Sequence, residues 1–335
     1  MTDEDELEYV LDLPERPRRN RRTDSLRRMV RETRLSPDNL IWPVFVVEGE
    51  DTRQPISSMP GVERMSIDVL VREVKDAEAL GIPAVAIFPA IDESLKDSMA
   101  TESTNPDGLL QRTIQALKEA APAVTVITDV AMDPYSSDGH DGIVRDGLIV
   151  NDETLEVLAA MAISQAKAGA DIVAPSDMMD GRVRFIRESL DEAGFTDVGI
   201  LAYTAKYASS FYGPFRDALE SAPRFGDKKT YQMDPANGKE ALRELTLDIE
   251  EGADMVMVKP ALPYLDVLWR VKEASSVPVA AYHVSGEYAM LIAAGEKGWL
   301  DHQAVMMEAH LCIRRAGADV ILTYAAKDVA RFLQG

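Results

Sequence analysis

Two lysines are the residues of this sequence best placed to do chemistry. Lys206 ends the apolar run GILAYTAK, and Lys259 ends the apolar run ADMVMVK. Such runs predict buried strands, and parallel α/β enzymes carry their catalytic groups at strand carboxyl ends. A lysine in that place can form an imine with a carbonyl substrate. Two such lysines on consecutive strands would lie close together, so that repulsion and burial lower the pKa of at least one; the alternative is that each merely reaches solvent at its strand end.

Strand-like runs alternate with amphipathic, helix-like stretches along most of the chain. Eight such runs occupy residues 40–47, 82–89, 123–132, 170–177, 199–206, 253–260, 277–286 and 318–327. Eight β/α units in one continuous domain predict an α/β fold of the (β/α)8 TIM-barrel type, in which the strand carboxyl ends meet in a single site. A doubly wound Rossmann sheet is the alternative, but no GxGxxG motif follows the first run.

The N-terminal residues differ in composition from the rest. Nine arginines lie between Arg16 and Arg34, after an acidic start and without interleaved aromatic residues. We predict that residues 1–38 form an extended oligomerisation arm, which pairs its arginines with the acidic surface of a neighbouring subunit. Residues 39–335 are then the barrel domain.

Composition excludes several other classes of protein. The 335 residues carry a formal net charge of -21, which opposes binding to nucleic acid. The acidic start does not look like a secretory signal and no apolar run has membrane-spanning length, so we expect a cytoplasmic protein with no membrane partner. A single cysteine, Cys312, provides neither a disulfide framework nor a thiolate zinc site, and we expect it in the core.

A set of long segments in a fixed order carries a resemblance to a known family. The segments are DVAMDPYSSDGHDGI, APSDMMDGR, AYTAKYASSFYGPFRDA, TYQMDPAN, MVMVKPALPYLD, VSGEYAM and LTYAAK. Together they resemble the porphobilinogen synthase (5-aminolevulinate dehydratase) family, from about Leu40 to the C-terminus, and the arginine-rich arm also fits. The resemblance implies a lyase that condenses two molecules of 5-aminolevulinate into porphobilinogen with loss of two waters, a step of tetrapyrrole and heme synthesis.

The lysines fit that reaction. Joining two keto acids requires carbonyl groups activated as imines, and an imine forms from a neutral amine near a proton relay. By resemblance, Lys259 and Lys206 are the family's two Schiff-base lysines, one for each substrate. A class I aldolase is the alternative enzyme, but one imine lysine suffices for it.

Both substrates carry a carboxylate, so the pocket needs two anion sites. The resemblance implies that Arg216 and Lys228 bind one carboxylate, with Gln232 nearby, and that Ser285 and Tyr324 bind the other. On the residues alone, Arg216 could equally be a solvated loop charge and Tyr324 a core aromatic. The segment 209–232 around Arg216 is rich in Gly, Pro, Ser and aromatic residues, and we predict a lid over the pocket.

Aspartates replace the expected zinc ligands. Zinc-dependent members of the family hold the metal with a cysteine triad near the third strand end, where this chain has Ala131, Asp133 and Asp141. Alanine cannot bind a metal, and carboxylates favour Mg²⁺ or a monovalent cation over zinc. The chain therefore resembles the zinc-independent branch, with no zinc and no organic cofactor. We expect Asp129, Asp133 and Asp141 to hold the substrate amine and move protons, and Asp138 to be a turn residue.

Regulation and assembly are implied only by the resemblance. Members of this branch often bind a regulatory Mg²⁺ near a subunit boundary, and Glu244 occupies the position of its ligand. Without the resemblance, a single glutamate on an amphipathic helix such as Glu244 is interpreted as part of the solvated face. The family assembly is a homo-octamer of arm-clasped dimers. His283 lies two residues before Ser285, so strand alternation would place both on the same side.

Overall fold

The computed structural model describes residues 13–219 and 224–334, in two units divided after Arg34. In the first unit, a 3₁₀ turn at Pro17–Arg21 precedes helix α1, Asp24–Met29, and none of their residues is buried. Thr23 begins α1 by accepting a hydrogen bond from the Leu26 N–H at 3.2 Å. The acidic start of the chain lies outside the described residues, and the arm of residues 1–38 stays a prediction.

The second unit contains eight parallel strands that close into a barrel, since the first strand pairs with both the second and the last. We number them β1 (Leu40–Val46), β2 (Ala84–Pro89), β3 (Thr125–Val130), β4 (Ile172–Pro175), β5 (Gly199–Lys206), β6 (Met255–Lys259), β7 (Val279–His283) and β8 (Val320–Thr323). The predicted TIM barrel is confirmed. Each strand lies within its predicted run, although β7 and β8 end before Ser285 and Tyr324.

Helices connect and surround these strands. They are α2 (Ile67–Ala79), α3 (Leu109–Ala120), α4 (Asn151–Ala168), α5 (Arg182–Glu192), α6 (Gly213–Leu219), α7 (Glu240–Glu250), α8 (Leu265–Ala274), α9 (Ser285–Glu296), α10 (His302–Arg315) and α11 (Ala326–Gln334). Two short antiparallel strand pairs lie outside the eight barrel strands: Arg53–Pro55 pairs with Glu63–Met65, and Ile143–Arg145 pairs with Leu148–Val150. Helix α6 lies in the segment that the sequence predicted as a lid loop, so Arg216 is a helical residue.

A Gly-Ala-Asp motif before every second strand in the later part of the barrel fixes strand register. The glycine follows a helix with a positive φ in each case, at Gly169, Gly252 and Gly317. The aspartate accepts a hydrogen bond of 2.7–2.9 Å from a backbone N–H of the preceding strand, Asp171 from Val126, Asp254 from Ile200 and Asp319 from Val279. These bonds lie at the amino ends of the strands, opposite the end that carries the lysines.

No helix in residues 13–219 or 224–334 is long and apolar enough to cross a membrane.

Candidate active site

The two lysines lie side by side at the carboxyl ends of β5 and β6. Lys206 and Lys259 are direct partners in the parallel register of these strands, and each is 6% exposed. Neighbouring strands of a sheet are about 4.8 Å apart, so the two side chains leave adjacent backbones. The structure therefore brings together the two residues that the sequence singled out.

Aromatic rings surround the Lys259 amine. The rings belong to Tyr203, Tyr212, Phe215 and Tyr282, and their centroids lie 4.5–5.2 Å from Nζ. Burial, followed by the charge of Lys206, lowers the pKa of Lys259 to about 7 against the opposing effect of nearby aspartates. A large fraction of Lys259 is therefore a neutral amine near neutral pH, as imine formation requires.

Lys206 has a polar environment instead. Its Nζ donates a hydrogen bond to the carbonyl oxygen of Ser176, directly after β4, and lies 4.0 Å from Asp141 Oδ2. The two lysines thus differ in surroundings, because four rings lie around the Lys259 amine, whereas the Lys206 amine contacts two oxygen atoms and lies near the Tyr203 ring. This difference suits a reaction in which two identical substrate molecules have different roles.

A buried ion cluster lies beside Lys206. Lys228 Nζ is 3.0 Å from Asp133 Oδ2 and 3.1 Å from Asp141 Oδ2, and all three residues are buried. Burial raises the pKa of Asp141, but the charges of Lys228 and Lys206 outweigh it and lower that pKa to about 2. Burial and the Asp141 charge raise the pKa of Asp133. The resemblance predicted Lys228 as a ligand of a substrate carboxylate, whereas the structure pairs it with two aspartates.

Asp129 lies near the end of β3 and, with Asp133 and Asp141, forms a group of three aspartates that we call the acidic group. Burial and then the charge of Asp133 raise its pKa to about 7. Three oxygens of this region, Asp129 Oδ1, Asp141 Oδ1 and Gln232 Oε1, are buried and accept no hydrogen bond from the described residues. Buried acceptors without donors are costly, so these oxygens are suited to a bound ammonium group.

Ser285 and Tyr324, which the resemblance assigned to one carboxylate, lie near Lys259. The segment of Arg216, which the resemblance grouped with Lys228 and Gln232, also lies near Lys259. Ser285, the first residue of α9, accepts a hydrogen bond from the Phe215 N–H at 3.0 Å. The hydroxyls of Tyr324 and Tyr282 are 2.9 Å apart. Arg216 on α6 is half-buried and forms no ion pair within residues 13–219 and 224–334. Helix α6 therefore covers the Lys259 side of the site and carries a cation whose charge is available.

The covering segment approaches α9 closely at one glycine. A Cβ atom added to Gly286 would lie 2.5 Å from the carbonyl oxygen of Phe211, far inside contact distance. Any side chain at Gly286 would push the Phe211 segment, and with it α6, away from the barrel.

Glu244 lies outside this site. It is on α7 and lines a groove of about 710 Å³ together with Asp180, Asp227 and Glu240. Burial raises the pKa of Glu244, and Arg182 opposes that effect. No group of three His, Cys, Asp or Glu residues in the described ranges is arranged to hold a metal. A Mg²⁺ bound by Glu244 would therefore keep most of its water ligands, as that ion commonly does.

His283 does not share the surroundings of Ser285, so that expectation is wrong. His283 Nδ1 lies 3.2 Å from Thr323 Oγ1, and its ring packs 4.9 Å from that of His310 on α10. The cause is that β7 ends at His283, which breaks the strand alternation before Ser285. Cys312, also on α10, is half-buried rather than a core residue.

Sequence reasoning missed the aromatic environment of Lys259 and the carbonyl contact of Lys206. Tyr203 and Tyr282 each lie within four residues of a predicted strand end, which is the available signal for the rings. No signal in the sequence identifies the Ser176 carbonyl, because every residue carries one.

Fold and site together define a class of protein, a TIM-barrel enzyme with two lysines placed for imine chemistry. The chain belongs to the delta-aminolevulinic acid dehydratase family, whose family model matches residues 14–332.

Individual relatives support this assignment along almost the whole chain. A delta-aminolevulinic acid dehydratase of Bradyrhizobium diazoefficiens is 57% identical over 97% of this chain and 92% of its own length. A chloroplastic one of Chlamydomonas reinhardtii is 55% identical over 97% of this chain and 86% of its own. The crystal structure of the Toxoplasma gondii enzyme, in complex with the reaction product porphobilinogen, aligns with a TM-score of 0.95 at 56% identity, covering 96% of this chain and 92% of that one. The resemblance inferred from the motifs is confirmed.

Proposed function

We propose that this chain is a porphobilinogen synthase that condenses two 5-aminolevulinate molecules, with loss of two waters, through imines on Lys259 and Lys206. The observation that carries the proposal is the register pairing of the two buried lysines in a chain of the dehydratase family. Each imine forms when a lysine amine attacks a substrate keto carbon and the carbonyl oxygen leaves as water. Activation of both carbonyls accounts for the presence of two lysines.

The aspartates supply proton transfer and hold the substrate amine. Asp129, with a pKa of about 7, can both accept and donate a proton near neutral pH. Asp141 stays ionised, because Lys228 and Lys206 flank it, and provides a fixed negative charge for an ammonium group. Asp133 contributes the second carboxylate to the Lys228 pair.

Two sets of residues bind the two substrate carboxylates in this proposal. Ser285 and Tyr324 receive one carboxylate beside Lys259, where their hydroxyls now bond to protein groups. Lys228 and Gln232 receive the other, together with Arg216, which reaches it from helix α6 above the Lys259 side. Lys228 then exchanges part of its contact with the aspartates for the substrate, which links carboxylate binding to the charge state of the acidic group.

Borohydride reduction in the presence of 5-aminolevulinate tests the mechanism. We expect peptide mass spectrometry to find the reduced adduct on both Lys259 and Lys206. Because the neutral fraction of Lys259 falls about tenfold per pH unit below its pKa of about 7, its initial labelling rate should rise with pH up to about 7 and then level off. Adduct on neither lysine would contradict the proposal, and adduct on one alone would indicate aldolase-type chemistry.

Catalysis should not require zinc. Ala131, Asp133 and Asp141 replace a thiolate triad, and Lys228 already forms ion pairs with both aspartates. We expect a zinc-selective chelator to leave pyrrole formation within about twofold of the untreated rate. Loss of activity that only zinc restores would contradict the assignment to the zinc-independent branch.

Mg²⁺ and the arm are proposed to control assembly. Glu244 would help hold Mg²⁺ near a subunit boundary, and residues 1–38 would clasp a second copy within an octamer. We expect deletion of residues 1–38 to give a smaller particle in sedimentation.

Glu244→Ala should abolish Mg²⁺ stimulation of both activity and particle size, because a ligand stabilises the state that binds it better. Glu250→Ala, on the exposed face of α7, is the control. Unchanged sedimentation of the truncated chain, or full Mg²⁺ response in Glu244→Ala, would contradict the respective half of this proposal.

A cytoplasmic location remains our prediction for this chain.

A further inference from the structure

Glu287 is a fully buried acidic residue to which the proposed function assigns no role. It lies in the first turn of α9, within the VSGEYAM segment, and has no exposed surface. It forms no ion pair with any lysine, arginine or histidine in the described ranges. Burying a carboxylate without a cation lowers the stability of the fold unless other contacts stabilise the carboxylate.

The carboxylate accepts hydrogen bonds from three backbone N–H groups of two different loops. Oε1 lies 2.5 Å from the Leu262 nitrogen, and Oε2 lies 2.7 Å from the Val284 nitrogen and 3.3 Å from the Ala261 nitrogen. Ala261 and Leu262 are in the loop that follows β6, and Val284 is in the loop that follows β7. One side chain therefore joins the two loops that flank the aromatic side of the site.

The bonds to Ala261 and Leu262 hold the backbone two and three residues after Lys259. Pro260 has no N–H, so Ala261 and Leu262 provide the first two donors after Lys259. On the preceding peptide, the Lys259 carbonyl accepts from the Tyr207 N–H at 3.0 Å and from the Tyr212 hydroxyl at 3.1 Å. The backbone that follows the Lys259 Cα is thus held at the Lys259 carbonyl and again at the N–H groups of Ala261 and Leu262.

A carboxylate suits these three donors better than the alternatives. A glutamine would present one acceptor oxygen, and its amide NH₂ would face at least one N–H. An aspartate keeps the charge but is one methylene shorter, so it cannot reach both loops from the same backbone position. Burial raises the pKa of Glu287 to about 7, and the three N–H donors oppose that effect by favouring the charged form, as does the start of α9.

We propose that Glu287 is a positioning residue for Lys259, which ties the loop after β6 to the start of α9 and so holds the Lys259 amine among its aromatic rings. The inference rests on the proposed function, since it assumes that Lys259 forms an imine. Glu287 also connects Lys259 to Ser285, the residue directly after Val284. One side chain thus positions both the amine and a predicted carboxylate ligand.

Site-resolved labelling distinguishes this proposal from a general loss of structure. We would compare Glu287→Gln and Glu287→Asp with Glu296→Gln, an exposed glutamate at the other end of α9. Each variant is treated with 5-aminolevulinate and borohydride, and the labelling rates of Lys259 and Lys206 are measured separately. We expect Lys259 labelling to fall by about tenfold or more in both Glu287 variants, Lys206 labelling to change by less than about twofold, and Glu296→Gln to match the unmodified enzyme.

The outcomes separate the two proposals. If the unmodified enzyme shows no adduct on Lys259, the proposed function fails. If it is labelled there and the folded Glu287 variants label equally fast, or lose both labels equally, the positioning role is wrong. Amide hydrogen exchange in the unmodified protein gives a test that needs no variant, since the Ala261 and Leu262 amides should be strongly protected. Exchange of these amides at unprotected rates would overturn the proposal.

Discussion

Replacing Lys259 by methionine is expected to reduce pyrrole formation from 5-aminolevulinate by at least about 10⁴-fold, because the imine-forming amine is removed while the apolar length of the side chain is kept. The fall should appear in kcat, since the proposed carboxylate ligands Ser285 and Tyr324 remain. Titration calorimetry should still detect substrate binding.

The same substitution should leave the fold intact. Burial and the charge of Lys206 disfavour the Lys259 ammonium, whose pKa falls to about 7 from an ordinary value near 10.5. Between these pH values the lysine is mostly protonated in the unfolded chain and mostly neutral in the folded protein, so the fold loses stability as pH decreases through this window. Methionine removes that cost, and we expect Tm at pH 7 to stay the same or rise.

A surface lysine gives the matched control. Lys229 lies beside Lys228 with a largely exposed side chain, and its ion pair with Asp227 is also exposed. Lys229→Met should keep nearly full activity, since exposed ion pairs contribute little. Substantial turnover by Lys259→Met, or an equal loss in Lys229→Met, would contradict the role of Lys259.

Asp141→Asn is expected to lower activity by about 100-fold and to destabilise the fold by about 2 kcal/mol. The substitution removes the carboxylate between Lys228 and Lys206, to which Asp141 Oδ2 lies at 3.1 and 4.0 Å. Lys228 would keep only Asp133 as a partner, so its raised pKa should fall. Loss of a charge from a buried pair is far more costly than loss of one at the surface.

A neighbouring aspartate separates the effect of the ion cluster from that of the loop. Asp138 lies in the same segment, is half-buried and forms no ion pair with the described residues. We expect Asp138→Asn to change chemical denaturation midpoints and kcat only slightly. If Asp141→Asn behaves like Asp138→Asn in both measurements, the buried cluster is not part of the catalytic machinery.

Some of the site follows from local sequence. The barrel is predictable because the alternation of apolar and amphipathic runs indicates which residues are buried in strands and helices. The carboxyl ends of those strands then place Lys206 and Lys259 on one rim of the barrel. The three aspartates could also be anticipated as a group, since Asp129 lies in the third predicted strand and Asp133 and Asp141 follow it in the same segment. These inferences depend on residue type and spacing within a few turns or strands of chain.

Only the tertiary structure decided the contacts between distant segments. Lys228 pairs with Asp133 across 95 residues of chain, and nothing in the spacing of DKKTYQ indicates that partner. The rings around Lys259 come from β5, β7 and the segment of α6, and the three donors to Glu287 come from two loops. The sequence by itself determined which residues reach the rim of the barrel, because periodicity encodes burial. Their charges, neighbours and roles depend on which loops close over that rim, and such long-range packing leaves no periodic signal in the chain.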